Sequence, residues 1–238
     1  MAQRYEGKAK VVEELPDAPG LVSITFKDDA TAGDGAMHDV FAGKGELCND
    51  ITCLLFEYLA ERGVESHYVE RRSERGFVAR KVEIVPLEVV VRNLAAGSIC
   101  RRLGLEQGLV FDPPVVEFFY KDDDLHDPLL TREHIRVLDL AEPAELEDLK
   151  AQALRVNDEI GTLFDRAGLQ LVDFKLEFGR SEGRLLLADE FSPDTCRLWR
   201  DGKSFDKDVF RRGEGSPLAG YREVLRLIKP LLAKETVA

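Results

Sequence analysis

The sequence has no apolar run as long as a membrane-spanning helix, and its first ten residues, MAQRYEGKAK, contain no apolar signal region. Its four cysteines show no C-x-x-C pair and no zinc-ligand spacing; they are Cys48, Cys53, Cys100 and Cys196. Lysine and arginine number 33 against 45 acidic residues, and the resulting net charge of −12 argues against non-specific binding to nucleic acid. These absences predict a cytoplasmic protein with free thiols, with neither a membrane nor a nucleic acid as its partner.

Familiar catalytic motifs are also absent. The phosphate-binding pattern G-x-x-x-x-G-K-[ST] does not occur, and no Ser-His-Asp or Cys-His arrangement is convincing. His126, in LHDP, is interpreted as structural rather than catalytic. The candidates for chemistry are therefore acidic and basic side chains, and a local cluster of lysine and arginine remains compatible with small anionic substrates.

The chain of 238 residues, 44% of them hydrophobic, is long enough for one large domain or two packed lobes. KAKVVEEL and LVSITF flank the turn signal PDAPG and predict a hairpin. Further strands are predicted near residues 65–71, 76–84 and 86–92, with Pro86 as a hinge, and helices over residues 45–63, 144–168 and about 217–233. Strands and helices do not alternate regularly, so the predicted fold class is α+β rather than doubly wound.

The segment LVDFKLEF, residues 171–178, predicts a strand with two different faces. Alternate side chains point to opposite sides of a strand. The apolar face consists of Val172, Phe174, Leu176 and Phe178. The charged face consists of Asp173, Lys175 and Glu177. A solvated outer surface is one interpretation of the charged face, because an antiparallel sheet often has one side in water.

The residues after this strand favour a different interpretation. The turn-like GRSEG leads into RLLLADEFSPD, and two strands joined by a short loop that contains glycine predict a hairpin. With an odd number of loop residues, Asp189, Leu185 and Leu187 would share the charged face, which argues against a freely solvated surface. Carboxylates beside a lysine in a partly enclosed site suit Mg²⁺, which usually also binds substrate phosphates.

Two segments near the N-terminus contain candidates for ligand contacts. GKAK places Lys8 and Lys10 two residues apart on a strand, hence on one face, where they suit a phosphate. Two exposed strand lysines are the alternative. In TAGDG the glycines allow the backbone to bend around a ligand, and Asp34 offers an acceptor to a metal or an amine. A plain connecting loop is the alternative there.

A further set of candidates lies in VVVRNLAAGSICRRLG and SPDTCRLW. The first segment predicts a buried strand that ends at Arg92 and a helix with Ser98 in its first turn, where free N–H groups attract anions. Arg92 and Ser98 suit a phosphate or a carboxylate, unless Arg92 pairs with a surface acid. Arg197 follows Asp189 closely and is predicted to bind an anion near the carboxylates. Carboxylates for a metal and basic groups for phosphates are typical of phosphoryl transfer.

Several segments, taken in chain order, resemble those of the SAICAR synthetase (phosphoribosylaminoimidazole-succinocarboxamide synthase) family. They are YEGKAK, AGDG, VVVRNLAAGS, LVDFKLEFG, DEFSPDTCRLW and DKDVFR. The match runs in order from residue 5 to about residue 230. Each is weak alone, but the ordered set is highly specific. The resemblance implies an ATP-dependent ligase of purine biosynthesis. It would join L-aspartate to the carboxylate of 5-amino-1-(5-phospho-ribosyl)imidazole-4-carboxylate through an acyl phosphate, giving SAICAR, ADP and phosphate.

The resemblance also implies a two-lobed fold with mainly antiparallel sheets and ATP in the cleft between the lobes. The N-terminal lobe, residues 1–84, would be rich in strands and bind ATP. The C-terminal lobe, residues 85–238, would bind substrate and metal. Mg²⁺ is the implied metal cofactor, and a homodimer is the implied assembly.

Roles for individual residues follow from the same resemblance. The nucleotide would contact Lys8, Lys10, Ile84, Val85, Glu88 and Lys121, with the backbone of residues 84–85 at the adenine. The ribonucleotide and other anions would contact Arg92, Ser98, Lys175, Arg197, Lys207 and Arg211. The metal ligands would be Glu177 and Asp189. The catalytic residues near the reacting groups would be Lys175, Asp34 and Asp173.

Two other functions fit the same charged residues. A small-molecule kinase would use the same cleft and leave a stable phosphorylated product, whereas a ligase needs the amine for net turnover. A non-enzymatic adenine-nucleotide sensor would bind Mg·ATP at the carboxylates without substrate-dependent release of ADP. Measuring the release of ADP, with each substrate omitted in turn, distinguishes the three functions.

Overall fold

A computed structural model of the chain describes residues 3–33 and 35–235. Within them the strands are β1 (Arg4–Glu6), β2 (Lys10–Glu14), β3 (Leu21–Phe26), β4 (Asp29–Ala32), β5 (Met37–Val40), β6 (Tyr68–Ser73), β7 (Gly76–Arg80), β8 (Glu83–Leu94), β9 (Val110–Tyr120), β10 (Leu129–Leu130), β11 (Gln170–Ser181), β12 (Arg184–Ala188), β13 (Cys196–Arg200) and β14 (Lys203–Ser204). The helices are α1 (Lys44–Glu61), α2 (Ser98–Leu103), α3 (Arg132–Val137), α4 (Pro143–Arg166), α5 (Asp208–Arg211) and α6 (Leu218–Glu235).

The N-terminal part of the chain forms the first of two large sheets. Its strand order is β1-β2-β3-β7-β6, and each neighbouring pair is antiparallel. The predicted hairpin around PDAPG is confirmed, because β2 pairs with β3 from Lys10 opposite Phe26 to Glu14 opposite Val22. β4 and β5 form a separate antiparallel ribbon.

The second sheet has the strand order β10-β9-β8-β11-β13-β14, and β12 also pairs with β11. Its central neighbours, β8 and β11, are each 12 residues long. All of its strand pairs are antiparallel. The predicted α+β fold with mainly antiparallel sheets is therefore confirmed.

Pro86 does not separate two strands, contrary to the prediction. The chain leaves the first sheet at β7 and enters the second at β8, which continues through Pro86. Proline has no N–H for a sheet hydrogen bond. The β8–β11 register shifts between the Glu88–Glu177 pair and the Ile84–Gly179 pair, so a bulge accommodates the proline. The predicted lobe boundary between residues 84 and 85 falls within β8.

The three long predicted helices are present as α1, α4 and α6. α1 and α4 end beside glycines in the left-handed conformation, Gly63 with φ 71° and Gly168 with φ 69°, as the sequence predicts. The predicted short helix after Arg92 is α2, and Ser98 is its first residue. None of the helices, as far as the structure describes them, combines the length and apolar character needed to cross a membrane.

One hydrophobic core connects the two sheets through α1. This helix packs on β3, β6 and β7 of the first sheet and on α4 and α6, and α4 packs on β8 and β11 of the second. Leu55 and Leu59 of α1 lie in the same buried cluster as Phe174 and Phe178 of β11. Burying a side chain of this size stabilises the fold by about 1.5–3 kcal/mol, so α1 fixes the position of one sheet relative to the other.

Val172 departs from the predicted apolar face of β11. It lies in a separate small cluster with Leu94, Ala96 and Trp199. The reason is a register shift in the β11–β13 pairing between residues 171 and 173, which interrupts the strict alternation of side chains.

Candidate functional site

One face of the second sheet carries six of the predicted site residues. Residues directly opposite each other in an antiparallel pair point to the same side of the sheet. The strand register therefore places charged residues of four strands on the face of Lys175. They are Glu88, Arg92, Glu117, Asp173, Glu177 and Arg197. Asp173 and Glu177 are only 3% and 5% exposed, so the interpretation of this face as a solvated surface is wrong.

Lys175 lies between carboxylates on this face. Its Nζ donates hydrogen bonds to Glu88 Oε1 and Glu177 Oε1, each at 2.8 Å, and Lys121 Nζ lies 3.1 Å from Glu177 Oε1. Burial by itself lowers the pKa of Lys175, but the charges of Glu177, Glu88 and Asp189 outweigh it and hold that pKa well above its ordinary value. Lys175 is therefore a permanent cation at neutral pH rather than a proton acceptor.

Asp189 contacts Lys10, but its position does not arise from the strand alternation predicted from the sequence. The β11–β12 loop has two residues, 182–183, and not an odd number. Leu187 then lies opposite Phe178 on the core face, and the prediction that Leu185 and Leu187 share the charged face is wrong. Asp189 follows the last residue of β12, and its φ of 62° turns the chain out of the strand.

Lys10 pairs with the carboxylates that follow β12. Its Nζ donates to Asp189 Oδ1, and also to Glu190 Oε1 at 2.8 Å. Burial lowers the pKa of Lys10, whereas the charges of Asp189 and Glu190 raise it, and the net result is a pKa above the ordinary value. This contact joins the first strand of the N-terminal hairpin to the end of β12.

Lys8 does not share a strand face with Lys10, contrary to the prediction, because the chain turns between β1 and β2 and β2 begins at Lys10. Lys8 Nζ donates instead to Asp123 Oδ1 at 2.7 Å. This hydrogen bond, together with the charges of Lys121 and Lys175, lowers the pKa of Asp123, so all three lysines act on one carboxylate. We refer to this group as the lysine cluster: Lys8, Lys10, Lys121 and Lys175 with Glu88, Asp123, Glu177, Asp189 and Glu190.

A second group, the arginine cluster, consists of Arg92, Ser98, Glu117, Asp173 and Arg197. Arg92 donates from Nη1 to Asp173 Oδ2 and from Nε to Glu117 Oε2, both at 2.7 Å. Arg197 Nη1 donates to both oxygens of Asp173, at 2.9 and 2.8 Å. Arg92 Nη2 also donates to Ser98 Oγ at 3.3 Å. The predicted neighbours Arg92 and Ser98 are thus in contact. Of the acids paired with Arg92, Asp173 is buried and the side chain of Glu117 is 11% exposed, so neither is a fully exposed surface acid.

Gly97, in the segment AAGS, allows the chain to pass directly beside Arg197. Its φ of 63° is a backbone conformation that favours glycine, and a Cβ at this position would lie 2.5 Å from Arg197 Nη2, so a larger residue would be strained and would displace the guanidinium. On its other side, Arg197 Nε donates to Asp208 Oδ2 at 2.8 Å, and Arg211 Nη1 donates to Asp208 Oδ1 at 2.6 Å. Arg211, a predicted anion contact, is therefore joined to the arginine cluster through Asp208.

The sequence patterns do not reveal a buried network around Asp194. Lys44 Nζ lies 2.5 Å from Asp194 Oδ2, Lys207 Nζ lies 3.7 Å from the same oxygen, and Tyr221 donates its hydroxyl hydrogen to Asp194 Oδ1. Burial raises the pKa of Asp194, but the charges of Lys207 and Lys44 hold it well below its ordinary value. Lys207, a predicted anion contact, therefore already faces a protein carboxylate.

One sequence signal could have identified part of this network. Lys44 is four residues before Cys48 and seven before Ile51, which places it on the buried stripe of α1. A lysine on such a stripe needs a buried acidic partner. His67 has no comparable signal: it is buried, its pKa is lowered to about 4 by that burial, and its imidazole faces the backbone of Asp189.

The whole chain also resembles known proteins. The sequence profile of the SAICAR synthetase family matches residues 3–228. This chain belongs to the SAICAR synthetase family. The phosphoribosylaminoimidazole-succinocarboxamide synthase of Staphylococcus carnosus (strain TM300) is 49% identical over 234 residues, which are 97% of this chain and 100% of that protein. The resemblance predicted from the ordered segments is confirmed.

Two solved structures of SAICAR synthetases share the fold. The crystal structure of phosphoribosylaminoimidazole-succinocarboxamide synthase from Ehrlichia chaffeensis has 39% sequence identity and a TM-score of 0.91, with 94% of this chain and 97% of that chain covered. A SAICAR synthetase (type 2) in complex with ADP has 41% identity and a TM-score of 0.91, with 95% of this chain and 97% of that chain covered.

Ile84 and Val85, which the SAICAR synthetase resemblance implies at the adenine, belong to neither cluster. Ile84 and Val85 belong to the β8 bulge beside Pro86, where Ile84 is 36% exposed and Val85 is buried. The backbone N–H and C=O groups of residues 84–85 lie where regular sheet pairing is interrupted, so they are suited to hydrogen bonds with a planar base. Their contact with adenine stays a prediction. Asp34 lies outside the described residues, so its role stays a prediction as well.

Glu177 and Asp189, the expected ligands of Mg²⁺, fit a cation that takes other ligands from a substrate. Among the residues whose positions the structure gives, no three His, Cys, Asp or Glu side chains converge on a ready-made metal site. Mg²⁺ usually takes one or two protein carboxylates together with waters and phosphates, so two suffice. Both carboxylates face lysines, which phosphates would also attract. The donor set therefore fits Mg²⁺ bound together with a nucleotide.

Proposed function

We propose that this protein joins L-aspartate to the carboxylate of 5-amino-1-(5-phospho-ribosyl)imidazole-4-carboxylate, using ATP and producing SAICAR, ADP and phosphate in purine biosynthesis. One observation carries the proposal: Glu88, Lys175 and Glu177 of the lysine cluster lie beside Arg92, Asp173 and Arg197 of the arginine cluster on one sheet face, in a chain 49% identical to a phosphoribosylaminoimidazole-succinocarboxamide synthase. The reactants and ATP are all anionic, so their repulsion must be offset by fixed positive charge before they can react.

The lysine cluster would bind the phosphates of ATP. Each of its lysines already faces a carboxylate, so phosphate binding exchanges one anionic partner for another and leaves no buried ammonium without a partner. Glu177 and Asp189, released from their lysines by this exchange, would hold Mg²⁺. The metal would supply charge neutralisation at the phosphate oxygens. Ile84 and Val85 would contact the adenine.

The arginine cluster would bind the ribonucleotide. Asp173 fixes Arg92 and Arg197 through hydrogen bonds of 2.7–2.9 Å, and we assign its catalytic contribution to this positioning of the two guanidinium groups. Lys207 and Arg211 would supply further positive charge beside the arginine cluster. Because Lys175 lies two residues from Asp173 on the same face, the reacting carboxylate would lie between the clusters, near Lys175. The family resemblance adds Asp34 as a residue near the reacting groups.

The chemistry requires that the carboxylate first become a better electrophile. A carboxylate oxygen attacks the γ-phosphorus of ATP, the bond to ADP breaks, and an acyl phosphate forms. The aspartate amine then attacks the acyl carbon, phosphate leaves with the electron pair of the C–O bond, and the amine loses a proton. Lys175 offsets the negative charge of the reacting groups. Holding amine and acyl phosphate within reach of each other lowers the barrier by roughly 7–11 kcal/mol.

Further parts of the proposal rest on the family resemblance. They are Mg²⁺ as metal cofactor, a homodimer, and two lobes, residues 1–84 and 85–238, with ATP in the cleft between them. The cytoplasm is the proposed compartment. Its support is that Cys48, Cys53, Cys100 and Cys196 are free thiols, most of them buried, as is usual in a reducing environment.

A coupled ADP-release assay tests the reaction. We expect release of ADP only when ATP, the ribonucleotide and L-aspartate are all present, because net turnover needs the amine. The ribonucleotide and aspartate are omitted one at a time. Release without aspartate, together with a stable phosphorylated ribonucleotide, would indicate a kinase. Binding of ATP without any substrate-dependent release would indicate a nucleotide sensor.

Arg92→Ala is expected to weaken ribonucleotide binding and to leave ADP affinity nearly unchanged. Loss of a charge-assisted contact costs about 1.5–3 kcal/mol, which raises the Kd roughly 10- to 150-fold. Separate calorimetric titrations with ribonucleotide and ADP measure both affinities. The variant should fold, because Asp173 keeps Arg197 and Glu117 keeps Arg102, the latter at 2.7 Å.

The control for this variant is Arg226→Ala, which removes an exposed arginine of α6 that pairs with Glu223 at 2.7 Å. We expect the control to leave both affinities unchanged. If Arg92→Ala instead loses ADP affinity and keeps ribonucleotide affinity, Arg92 belongs to the nucleotide half of the site.

A further inference from the structure

The segment between α1 and β6 is attached to the end of β12, directly before Asp189. Ser66 forms a parallel bridge with Leu187, and His67 N donates to Leu187 O at 2.8 Å. The backbone of His67 is also fixed on its other side, since Arg80 N donates to His67 O at 2.7 Å. The position of His67 is therefore fixed relative to the chain that leads into Asp189.

The imidazole of His67 is directed at the backbone of Asp189. His67 Nε2 lies 3.3 Å from Asp189 O. A carbonyl oxygen only accepts hydrogen bonds, so Nε2 carries the hydrogen and donates it. Phe56 and Phe77 contact the imidazole edge to face, with ring centroids 5.8 and 5.6 Å away, and His67 is 3% exposed. These contacts restrict the orientation of the ring.

Asp189 needs such support because of its backbone conformation. Its φ of 62° is left-handed, a region that costs more for aspartate than for glycine. Rotation of the peptide group that follows Asp189 would displace the carbonyl oxygen of Asp189. The same rotation would move the Asp189 side chain. Lys10 holds the carboxylate of Asp189, and His67 holds its carbonyl oxygen, so the residue is fixed at two points.

We propose that His67 is a positioning residue: its hydrogen bond to the Asp189 carbonyl holds the Asp189 carboxylate where it binds Mg²⁺ together with the nucleotide. This inference rests on the proposed assignment of Asp189 to the metal. His67 itself would contact neither the nucleotide nor the metal, and it would act only through the backbone of Asp189.

Three substitutions separate the hydrogen bond from ring packing. His67→Phe keeps an aromatic ring and removes the donor. His67→Gln has an amide N–H about as far from the backbone as Nε2, whereas His67→Asn has the same amide one methylene shorter. Asp189→Asn is the reference in which the carboxylate itself is lost. Calorimetric titration with ADP is carried out once in Mg²⁺ and once in EDTA, and the ratio of the two affinities gives the factor by which Mg²⁺ increases ADP affinity. Thermal unfolding shows whether each variant is folded.

We expect His67→Phe and His67→Asn each to reduce, by about tenfold, the factor by which Mg²⁺ increases ADP affinity. Their ADP affinity in EDTA should be unchanged. His67→Gln should keep the factor within about threefold of its value in the unsubstituted protein. If His67→Phe does not fold, the comparison of His67→Gln with His67→Asn still tests the proposal. An unchanged factor in His67→Asn, while Asp189→Asn abolishes it, would overturn the positioning role. Equal losses in His67→Gln and His67→Asn would overturn it too. An unchanged factor in Asp189→Asn would overturn the metal assignment itself.

Discussion

Lys175→Met is expected to lower kcat/KM by at least about two powers of ten, or ~2.7 kcal/mol of transition-state stabilisation. Within the described part of the chain, the Lys175 ammonium donates to two carboxylates, Glu88 and Glu177, and an ammonium has three N–H groups. The third N–H group of Lys175 can therefore donate to a reacting carboxylate or phosphate. Methionine has a similar length, but it cannot offset negative charge there.

The same substitution should affect folding much less. Removing the charge-assisted hydrogen bonds of Lys175, whose side chain is 28% exposed, costs about 2 kcal/mol, which lowers the Tm by roughly 4–8 °C for a chain of this size. Glu177 keeps Lys121 as a partner at 3.1 Å, so its buried carboxylate stays paired. Thermal unfolding and ADP-release kinetics on one preparation measure the two effects.

Lys150→Met is the control, because Lys150 is an exposed lysine of α4 outside both clusters. It should change neither the Tm nor the kinetics. A folded Lys175→Met variant with turnover near that of the unsubstituted protein would mean that the pairs with Glu88 and Glu177 are structural contacts only.

The charged face of β11 could be predicted from sequence because it depends on local alternation alone. Asp173, Lys175 and Glu177 do point to one side of the strand. Their burial could not be predicted in the same way, because it depends on strands that are distant in the chain. Arg92, the partner of Asp173, is 81 residues away in sequence, and no local pattern specifies that β8 pairs with β11.

The orientation of Asp189 shows where alternation stops being informative. Alternation extends across a hairpin only if the loop length is known, and a change of one residue moves every following side chain to the opposite face. The two-residue loop puts Leu187 opposite Phe178 on the core face. Asp189 still faces Lys10, 179 residues away, because the chain leaves the strand at a positive φ.

The remaining site contacts also join distant segments. Lys44 with Asp194, and His67 with Asp189, are pairs that only the packed fold brings together. Composition and periodicity assign neither pair. The roles of Lys8 and Lys10 at the nucleotide follow from the family resemblance. The pattern argument, which placed both lysines on one strand face for a phosphate, is wrong about that shared face because a turn precedes Lys10.

Asp189→Asn is expected to lower kcat/KM by about three powers of ten, or ~4 kcal/mol, with little change in the fold. Asparagine has nearly the same shape, keeps an oxygen that accepts from Lys10, and is tolerated at positive φ. The backbone at φ 62° can therefore persist. What is lost is the negative charge by which Asp189 would bind Mg²⁺. ADP-release kinetics over a range of Mg²⁺ concentrations measure the effect.

Asp201→Asn is the matched control for this substitution. Asp201 also has a positive φ, 51°, and it is exposed, so the same chemical change is made in the same backbone conformation outside both clusters. We expect its kinetics to be unchanged. Higher Mg²⁺ should restore part of the activity of Asp189→Asn, because the weakened site fills again by mass action. If a folded Asp189→Asn variant keeps both its kcat/KM and its Mg²⁺ dependence, Asp189 is not a metal ligand, and its pair with Lys10 serves the structure alone.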